Sequence, residues 1–506
     1  MPEKFYITTP IYYVNASPHI GHSYTTIIVD SLARYKRMKG CEVFFLTGTD
    51  EHGLKVKQAA EKSNLSPQQF VDGLVPKFKE LWQSLHISYD DFIRTTERRH
   101  EQVVQEILRI LYEKEDLYLG DYRGFYCTPC ETFWTKLQLT DQLCPDCKRP
   151  TEEISEKNYF FRLSKYQGWL IEYIKQHPKF ILPTFRANES LSFLKEPLQD
   201  LCISRPKSRL AWGIEIPFSS DHVTYVWFDA LINYVSGAGF LSDQDKFSKF
   251  WPADIHMIGK DILRPHSVYW PIMLKALGLD MPKTVFAHGW WLQEGEKMSK
   301  SRGNIMDPLV MISQYGVDAY RYFLLREVPV GLDGVFSEEQ LKKRINSDLA
   351  NDFGNLLNRT LGMIGLYFNG KIPEPGQENE DDACLKQKAI KLWKPYDEAV
   401  EDVRISEALS FLWELINSAN KYIEDSKPWV LAKEKDKRLS TVLYNLAEVL
   451  RMVSVAIWPF LPSTAGNMRH QLGLKEGVIF SQLQEWGLTQ AHTSVNKAIP
   501  LFPRIE

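Results

Sequence analysis

The chain has 506 residues, of which 44% are hydrophobic and 25% charged, and its formal net charge is −3. This length exceeds what one hydrophobic core organises, so we expect two to four domains, and the apolar and charged fractions are those of an ordinary globular protein. The small negative charge excludes a uniformly basic nucleic-acid binder, so any contact with RNA must use local patches.

The sequence predicts neither a membrane span nor a signal peptide. We find no apolar run near the roughly 18 residues of a transmembrane helix, and no apolar segment follows residues 1–4. We therefore expect a cytoplasmic protein with no membrane partner.

The first 50 residues predict a strand, a helix and a strand. Residues 4–8 read as a short strand, Ser17 and Pro18 are typical of a helix start, and Gly40 is typical of a helix end. Residues 41–47 predict the next buried strand. This βαβ pattern indicates a parallel sheet, in which ligands bind beyond the carboxyl ends of the strands.

Two histidines fall in the first turn of this predicted helix. His19 and His22 are three positions apart and share one face, next to free backbone N–H groups that favour a phosphate. Gly21 between them leaves room for a ligand to come close. The alternative is a pair of surface histidines on a capped helix.

Asp50 follows the second predicted strand, in the segment 48–53. Loops at this end of a strand carry function in α/β sheets, although the segment could be a simple turn with a helix cap. The next helices, predicted at 67–86 and 97–115, carry apolar stripes and are expected to be core.

Four cysteines predict a metal site. They form two Cys-x2-Cys pairs separated by thirteen residues: Cys127, Cys130, Cys144 and Cys147. Four thiolates complete a tetrahedral Zn²⁺ and leave no position for water, so we expect one structural zinc ion. The alternative is four buried cysteines without a ligand.

The sequence predicts three further strands, at 224–229, 255–258 and 284–287. Beyond the second, Ile262, His266 and Trp270 recur every four residues on one helix face, a pattern that is usually core but here begins beside the predicted crevice. Beyond the third comes Lys297-Met298-Ser299-Lys300-Ser301. Glycines flank this cationic segment, so it can close on phosphates, although by itself it could be a solvated charge run.

The remainder predicts an all-helical domain, with helices at 348–368, 383–400, 405–425 and 438–460. Asn355 and Arg359 lie opposite the apolar stripe of the first helix, where an amide and a guanidinium can bind unpaired bases. Trp429 follows a proline, and an exposed indole there can stack on a base. A buried core tryptophan is the alternative.

Two of these motifs together carry a family resemblance. Pro18-His19-Ile20-Gly21-His22 and Lys297-Met298-Ser299-Lys300-Ser301 resemble the two signatures of class I aminoacyl-tRNA synthetases. The other details resemble the methionyl-tRNA synthetases over nearly the whole chain. The resemblance implies an α/β fold, in which a Rossmann-type parallel-sheet catalytic domain carries a zinc-bearing insertion and precedes an all-α helical-bundle anticodon-binding domain.

The implied domains are two catalytic halves at 1–117 and 224–293, the insertion at 118–223, the signature loop with a stem-contact region at 294–345, and the anticodon-binding domain at 346–506. Some relatives carry an added dimerising module at the C-terminus, which this sequence lacks, so we expect a monomer.

The resemblance also implies a reaction: ATP-dependent joining of L-methionine to tRNA(Met), including the initiator tRNA, through methionyl-adenylate. Mg²⁺ would accompany ATP. The catalytic residues would be His19, His22, Lys297 and Lys300, and the ATP-binding residues His19, Gly21, His22, Lys297, Ser299, Lys300 and Ser301.

The remaining implied site residues bind methionine or tRNA. Asp50 would hold the amino group and Arg205 would support the pocket. The full methionine-binding set would be Pro10, Ile11, Tyr13, Asp50, Arg205, Trp227, Leu231, Tyr234, Ile262, His266 and Trp270, and the anticodon-binding set Asn355, Arg359 and Trp429. Two positions depart from the pattern: Leu201 stands where some members have tryptophan, and Leu231 where many have proline.

Two other functions remain open from the sequence. One is a zinc-dependent RNA-binding protein with a vestigial nucleotide fold, which would not explain both phosphate motifs. The other is a class I synthetase for isoleucine, valine, leucine or cysteine. The branched-chain enzymes are much longer, and the cysteine enzyme needs a zinc ligand in the amino-acid pocket.

Overall fold

The computed structural model describes residues 2–127, 132–134, 139–145, 147–293, 296–297, 306–475 and 477–505. A seven-stranded sheet forms the centre of the N-terminal half, and all of its paired strands are parallel. Its strands run in the spatial order Tyr12–Tyr13, Glu42–Asp50, Lys4–Thr8, Ile255–Gly259, Thr284–His288 and Ile181–Leu182, with Asp91–Arg94 also paired to Glu42–Asp50.

The two faces of this sheet belong to different hydrophobic cores. Alternate residues of the first strand show this: Phe5 and Ile7 face one core, and Tyr6 faces the other. The first core contains helix Ile20–Met38 and continues into the helical domain, whereas the second contains helix Arg98–Glu113. The predicted parallel α/β architecture is confirmed.

Helix Ile20–Met38, called the signature helix below, begins later than predicted. His19 is its N-cap residue, with an extended backbone and a side chain that accepts a hydrogen bond from the Gly21 amide. The prediction of Ser17 as the cap was therefore wrong, because a histidine imidazole takes that role. The predicted end is confirmed, since Gly40 has a φ of +86°.

The segment predicted as a central strand at 224–229 has a different structure. Strand Ser219–Thr224 belongs to a separate antiparallel sheet with Ser204–Pro206 and Glu215–Ile216, and Val226–Leu231 is a helix. A short, largely buried and mostly apolar run fits a strand and a buried helix equally well. We call Val226–Leu231 the pocket helix, and Asn233–Ala238 follows it.

The cysteine-bearing region is built on a four-stranded antiparallel sheet. Its strands are Thr132–Trp134, Leu117–Cys127, Glu152–Phe161 and Leu201–Cys202. Strand Ile181–Leu182 falls within the range predicted for the insertion, yet it pairs in parallel with Thr284–His288 of the main sheet. The chain thus returns to the main sheet before residue 223.

A small sheet stands at the base of the second signature. It contains Glu296–Lys297, Trp291–Gln293 and Gly334–Val335. The remaining helices of the N-terminal part are Leu54–Lys62, Pro67–Ser84, Gln167–Gln176, Thr184–Phe193, Gln244–Phe250, Trp270–Leu277, Pro308–Tyr315, Val317–Arg326 and Glu338–Arg344.

The C-terminal part is helical, as predicted. After the π-helix Ile345–Gly354 it contains Asn355–Phe368, Glu380–Glu401, Ile405–Ser426, Pro428–Glu434, Arg438–Ile457 and Pro462–Gln471. Arg438–Ile457 is long and apolar enough to cross a membrane, but 94% of its apolar window is buried inside the protein. It is the core helix of this bundle.

Candidate active site

A cavity of about 1710 Å³ opens at the carboxyl ends of the parallel strands. It brings together predicted ATP- and methionine-binding residues from four separate parts of the sequence. Those that line it are Pro10, Ile11, Tyr13, His19, Gly21, His22, Asp50, Trp227, Leu231, Tyr234, Ile262 and His266. The tertiary structure therefore places the predicted phosphate motif and most of the predicted apolar pocket in one space.

The two signature histidines form a reciprocal cap at the start of the signature helix. The His19 amide donates to His22 Nδ1 at 3.0 Å, and the Gly21 amide donates to His19 Nδ1 at 3.1 Å. Since both Nδ1 atoms accept, the neutral rings carry their protons on Nε2. A Cβ at Gly21 would lie 2.9 Å from His19 Cε1, so this glycine makes room for the histidine ring.

The apolar part of the cavity contains an ordered pair of polar side chains. His266 Nδ1 donates to the Ile262 carbonyl at 2.8 Å, which leaves Nε2 to accept from the Tyr234 hydroxyl at 2.7 Å. Burial lowers the pKa of His266 to about 4, so the imidazole is neutral at physiological pH. This arrangement fixes the Tyr234 hydroxyl without placing a charge in an apolar pocket.

Two predicted pocket residues lie behind the cavity rather than on its surface. Trp270 is fully buried, with its ring centroid 5.7 Å from that of Tyr234. Its amide bonds to the Pro265 carbonyl in the π-helix Pro265–Tyr269. Because a π-turn contains an additional residue, side chains four apart no longer share one face.

Arg205 also lies behind the surface of the cavity. It is buried with its guanidinium 4.1 Å from the Tyr225 ring centroid and 5.4 Å from that of Tyr126. Both Arg205 and Trp270 therefore support the wall instead of forming it.

The metal-binding prediction is supported by the described cysteines. The sulfur atoms of Cys127, Cys144 and Cys147 all lie within 4.8 Å of one another. Soft thiolates in such a cluster are suitable ligands for Zn²⁺. Cys130, the fourth predicted ligand, lies outside the described residues.

Most of the second signature also lies outside the described residues, including Ser299, Lys300 and Ser301. The backbone of Lys297 pairs with Leu292 in the small sheet described above. At the base of this sheet, Asp333 accepts from the Trp290 amide at 2.9 Å and pairs with Lys260 at 2.5 Å. Lys260 immediately follows strand Ile255–Gly259, so this contact ties the base of the signature segment to the main sheet.

The predicted anticodon residues all reach the surface of the helical bundle. Asn355 is exposed, and the Arg359 side chain is 30% exposed and pairs with Glu424 at 2.7 Å. Trp429 is 44% exposed, so it is not the buried core tryptophan of the alternative interpretation.

The sequence reasoning missed a buried polar network beneath the cavity. Asp229 accepts from His52 Nδ1 at 2.6 Å and from His100 Nε2 at 2.7 Å. Burial alone would raise the pKa of Asp229, but the two histidines outweigh it and hold the pKa below its usual range. In the sequence, only the position of His52, two residues after Asp50, could have indicated this network.

Family models match both parts of the chain. The model described as tRNA synthetases class I (M) matches residues 5–154 and 148–361, and that described as the anticodon binding domain of methionyl tRNA ligase matches residues 372–497.

Individual relatives extend over the full chain. The chain is 52% identical to a methionine–tRNA ligase of Caldanaerobacter subterraneus, covering 100% of this chain and 80% of the relative. It is 48% identical to that of Thermotoga maritima over 99% of this chain and 80% of the relative.

Among solved structures, the Mycobacterium tuberculosis methionyl-tRNA synthetase in complex with methionyl-adenylate superimposes with a TM-score of 0.96 at 41% identity. The match covers 99% of this chain and 100% of that one. Sequence identities of 41–52% over 99–100% of this chain show that it belongs to the methionine–tRNA ligase family.

Proposed function

We propose that this chain activates L-methionine with ATP and transfers it to tRNA(Met), including the initiator tRNA. The observation that carries the proposal is the single cavity that joins the histidine pair to a neutral aromatic pocket beside Asp50. A phosphate-binding helix start alone would suit many nucleotide-binding proteins. Methionine requires in addition an apolar pocket for its thioether side chain and a carboxylate for its ammonium group, and residues of both kinds line this cavity.

The pocket matches the chemistry of the methionine side chain. A thioether is apolar and polarizable, and it packs well against aromatic rings such as those of Trp227 and Tyr234. The neutral His266 lets the Tyr234 hydroxyl remain in place without introducing a charge. Asp50, at the end of its strand, would pair with the substrate ammonium.

The chemical step needs no covalent nucleophile from the protein. A methionine carboxylate oxygen attacks the α-phosphorus of ATP, an O–P bond forms, and pyrophosphate leaves with the electrons of the broken bond between the α-phosphorus and the bridging oxygen. The enzyme must hold the reactants in line and stabilise the negative charge that develops on the phosphate oxygens. His19 and His22, with Lys297 and Lys300 of the second signature, are the residues proposed for this work. Mg²⁺ enters as part of the Mg·ATP substrate.

The second step transfers the amino acid. The terminal 2′-hydroxyl of the tRNA attacks the adenylate carbonyl, an ester forms, and AMP leaves. The exposed Asn355, Arg359 and Trp429 would recognise the anticodon, since all three reach the surface of the bundle.

The zinc ion in this proposal is structural. Cys127, Cys144 and Cys147 already share one cluster, and Cys130 would complete four thiolate ligands without an open position. We further propose that the protein is a cytoplasmic monomer. Its domains are those predicted from the sequence, except that strand Ile181–Leu182 belongs to the catalytic sheet and not to the insertion.

Amino-acid-dependent exchange of pyrophosphate into ATP tests the proposal. We expect exchange with L-methionine and at least 100-fold lower kcat/KM with isoleucine, valine, leucine or cysteine. Faster exchange with one of those amino acids would assign the chain a different substrate. Exchange with none of them would contradict the activation step itself.

A further inference from the structure

The end of strand Glu42–Asp50 and the turn that follows it consist of buried polar residues. Thr49 and Glu51 are fully buried, and His52 and Asp50 are only 3% and 8% exposed. Gly53 follows with a φ of +110°. A turn with no large apolar side chain at these positions depends on its hydrogen bonds for its conformation.

Glu51 holds one side of this turn. Its carboxylate accepts from Arg94 Nε at 2.7 Å and from the Thr49 and Thr96 hydroxyls at 2.6 Å each. Its carbonyl accepts from Trp212 Nε1 at 2.6 Å. These contacts fix the Glu51 side chain and its carbonyl, and the His52 side chain makes the next polar contact along the turn.

Asp229 holds the other side of the turn. One oxygen of this fully buried carboxylate accepts from His52 Nδ1 at 2.6 Å, and the other accepts from His100 Nε2 at 2.7 Å. His100 Nδ1 in turn contacts the Ser236 hydroxyl at 2.8 Å. The contacts link three parts of the chain that lie far apart in sequence.

The pocket helix, which carries Asp229, has other means of support. Phe228 is fully buried and Leu231 is 2% exposed, and both belong to the second hydrophobic core. The Phe228 amide also donates to the Tyr225 carbonyl. Apolar packing therefore holds the helix, whereas the turn after Asp50 is held by polar contacts, of which the Asp229 carboxylate supplies the one to His52.

We propose that Asp229 is a positioning residue for recognition of the substrate ammonium: it fixes His52 and thereby orients the Asp50 carboxylate toward the cavity. The inference rests on the proposed function, specifically on the role of Asp50. Small displacements of a group that pairs with a charged substrate cost much of its contribution, so loss of Asp229 should weaken ammonium recognition selectively.

The test compares three ligands that share the thioether side chain. L-Methionine carries both ammonium and carboxylate, L-methioninol carries only the ammonium, and the deaminated acid carries only the carboxylate. Equilibrium dissociation constants are measured for the wild type, Asp229→Asn and Asp50→Asn. We expect Asp229→Asn to weaken methionine and methioninol at least tenfold and to change the deaminated acid less than twofold.

Asp50→Asn distinguishes the two levels of the proposal. If it shows the same selectivity and Asp229→Asn does not, the role of Asp50 stands and the positioning role of Asp229 is wrong. If Asp50→Asn weakens no ammonium-bearing ligand selectively, the role of Asp50 is wrong and that of Asp229 falls with it. Equal weakening of all three ligands by Asp229→Asn would show a general collapse of the pocket and would also overturn the inference.

Three further variants control for folding. Glu448 is a fully buried carboxylate in the helical domain that accepts from the Gly487 and Thr489 amides. Glu448→Gln should lower stability without changing any of the three affinities.

If Asp229→Asn does not fold, His52→Leu replaces it in the test, and we expect the same selective loss of affinity for methionine and methioninol. His52→Asn keeps an N–H donor near the Nδ1 position, so it should bind methionine and methioninol more tightly than His52→Leu does. The proposal would be overturned if His52→Asn showed no such rescue and His52→Leu weakened all three ligands equally.

Discussion

Arg321 joins the signature helix to the helical domain, and its replacement by methionine should be strongly destabilising. The guanidinium is fully buried and pairs with Asp30 of the signature helix at 2.7 Å. It also donates to the carbonyls of Phe460 at 2.7 Å, Leu85 at 3.0 Å and Pro459 at 3.3 Å. Removing it leaves a buried carboxylate and three carbonyls without this donor.

The expected cost can be estimated from these contacts. Breaking a buried ion pair by removing one partner costs about 3–5 kcal/mol. Asp30 keeps Arg34 Nε at 2.9 Å and the Ser88 amide at 2.7 Å, so we expect a value near the lower end, ~3 kcal/mol. Methionine fills much of the arginine volume, so the loss reports the polar contacts rather than a cavity.

Urea unfolding of the wild type, Arg321→Met, Asp30→Asn and the double variant measures this cost. In Arg321→Met, the unfolding transition that involves the helical domain should shift further toward low urea concentration than any other transition does. The double variant should be more stable than the sum of the two single costs predicts, with a coupling of at least ~1 kcal/mol. A cost under ~1 kcal/mol for Arg321→Met, or additive single costs, would refute the reasoning.

The pH dependence gives an independent check on the same pair. Burial raises the pKa of Asp30, but Arg321 and Arg34 outweigh it, so the pKa lies below its ordinary value of 3.8. The unfolded chain then binds the proton more readily, so this carboxylate stabilises the fold fully above pH 3.8 and less as the pH falls through its folded pKa. In Arg321→Met the unfolding free energy should depend less steeply on pH in this acid range.

Three further predictions concern the proposed function. Lys300→Ala should slow pyrophosphate exchange, because it removes one positive charge at the phosphate and with it ~3 kcal/mol of transition-state stabilisation, while methionine affinity stays nearly unchanged. Weakened methionine binding with an unchanged chemical step would contradict the role of Lys300. Elemental analysis should find one zinc per native chain and less in Cys127→Ser; no zinc, or two ions, in the native protein would contradict the assigned site. Trp429→Ala should reduce methionine transfer to tRNA while pyrophosphate exchange stays near normal, since a stacked base is worth about 1–3 kcal/mol; loss of both activities would indicate a structural tryptophan.

Much of the fold was predicted from sequence patterns that are compatible with only one local structure. The strand, helix and strand of the first 50 residues follow from apolar periodicity and from Gly40, which adopts the positive φ expected of a helix end. The apolar stripe opposite Asn355 and Arg359 likewise predicted which side of that helix faces solvent. The residues that line the cavity were identified by family motifs, which carry information that periodicity lacks.

Errors arose where local patterns were compatible with two structures. Val226–Leu231 is uniformly apolar apart from Asp229, so its pattern does not distinguish a strand from a helix; in the structure it is a helix packed in the second core. Trp270 lies behind the cavity because a π-turn precedes it, and the four-residue spacing could not reveal that turn.

The sequence by itself predicted the family and the parallel α/β class, which are confirmed, and the residues proposed to carry the chemistry, because these depend on short motifs and on periodicity along the chain. The tertiary structure alone decided how these residues are held. His52, His100 and Asp229 meet only when a strand end, a helix and the pocket helix pack together. No spacing in the sequence encodes such a contact, because its partners are brought together by the burial of apolar surfaces elsewhere.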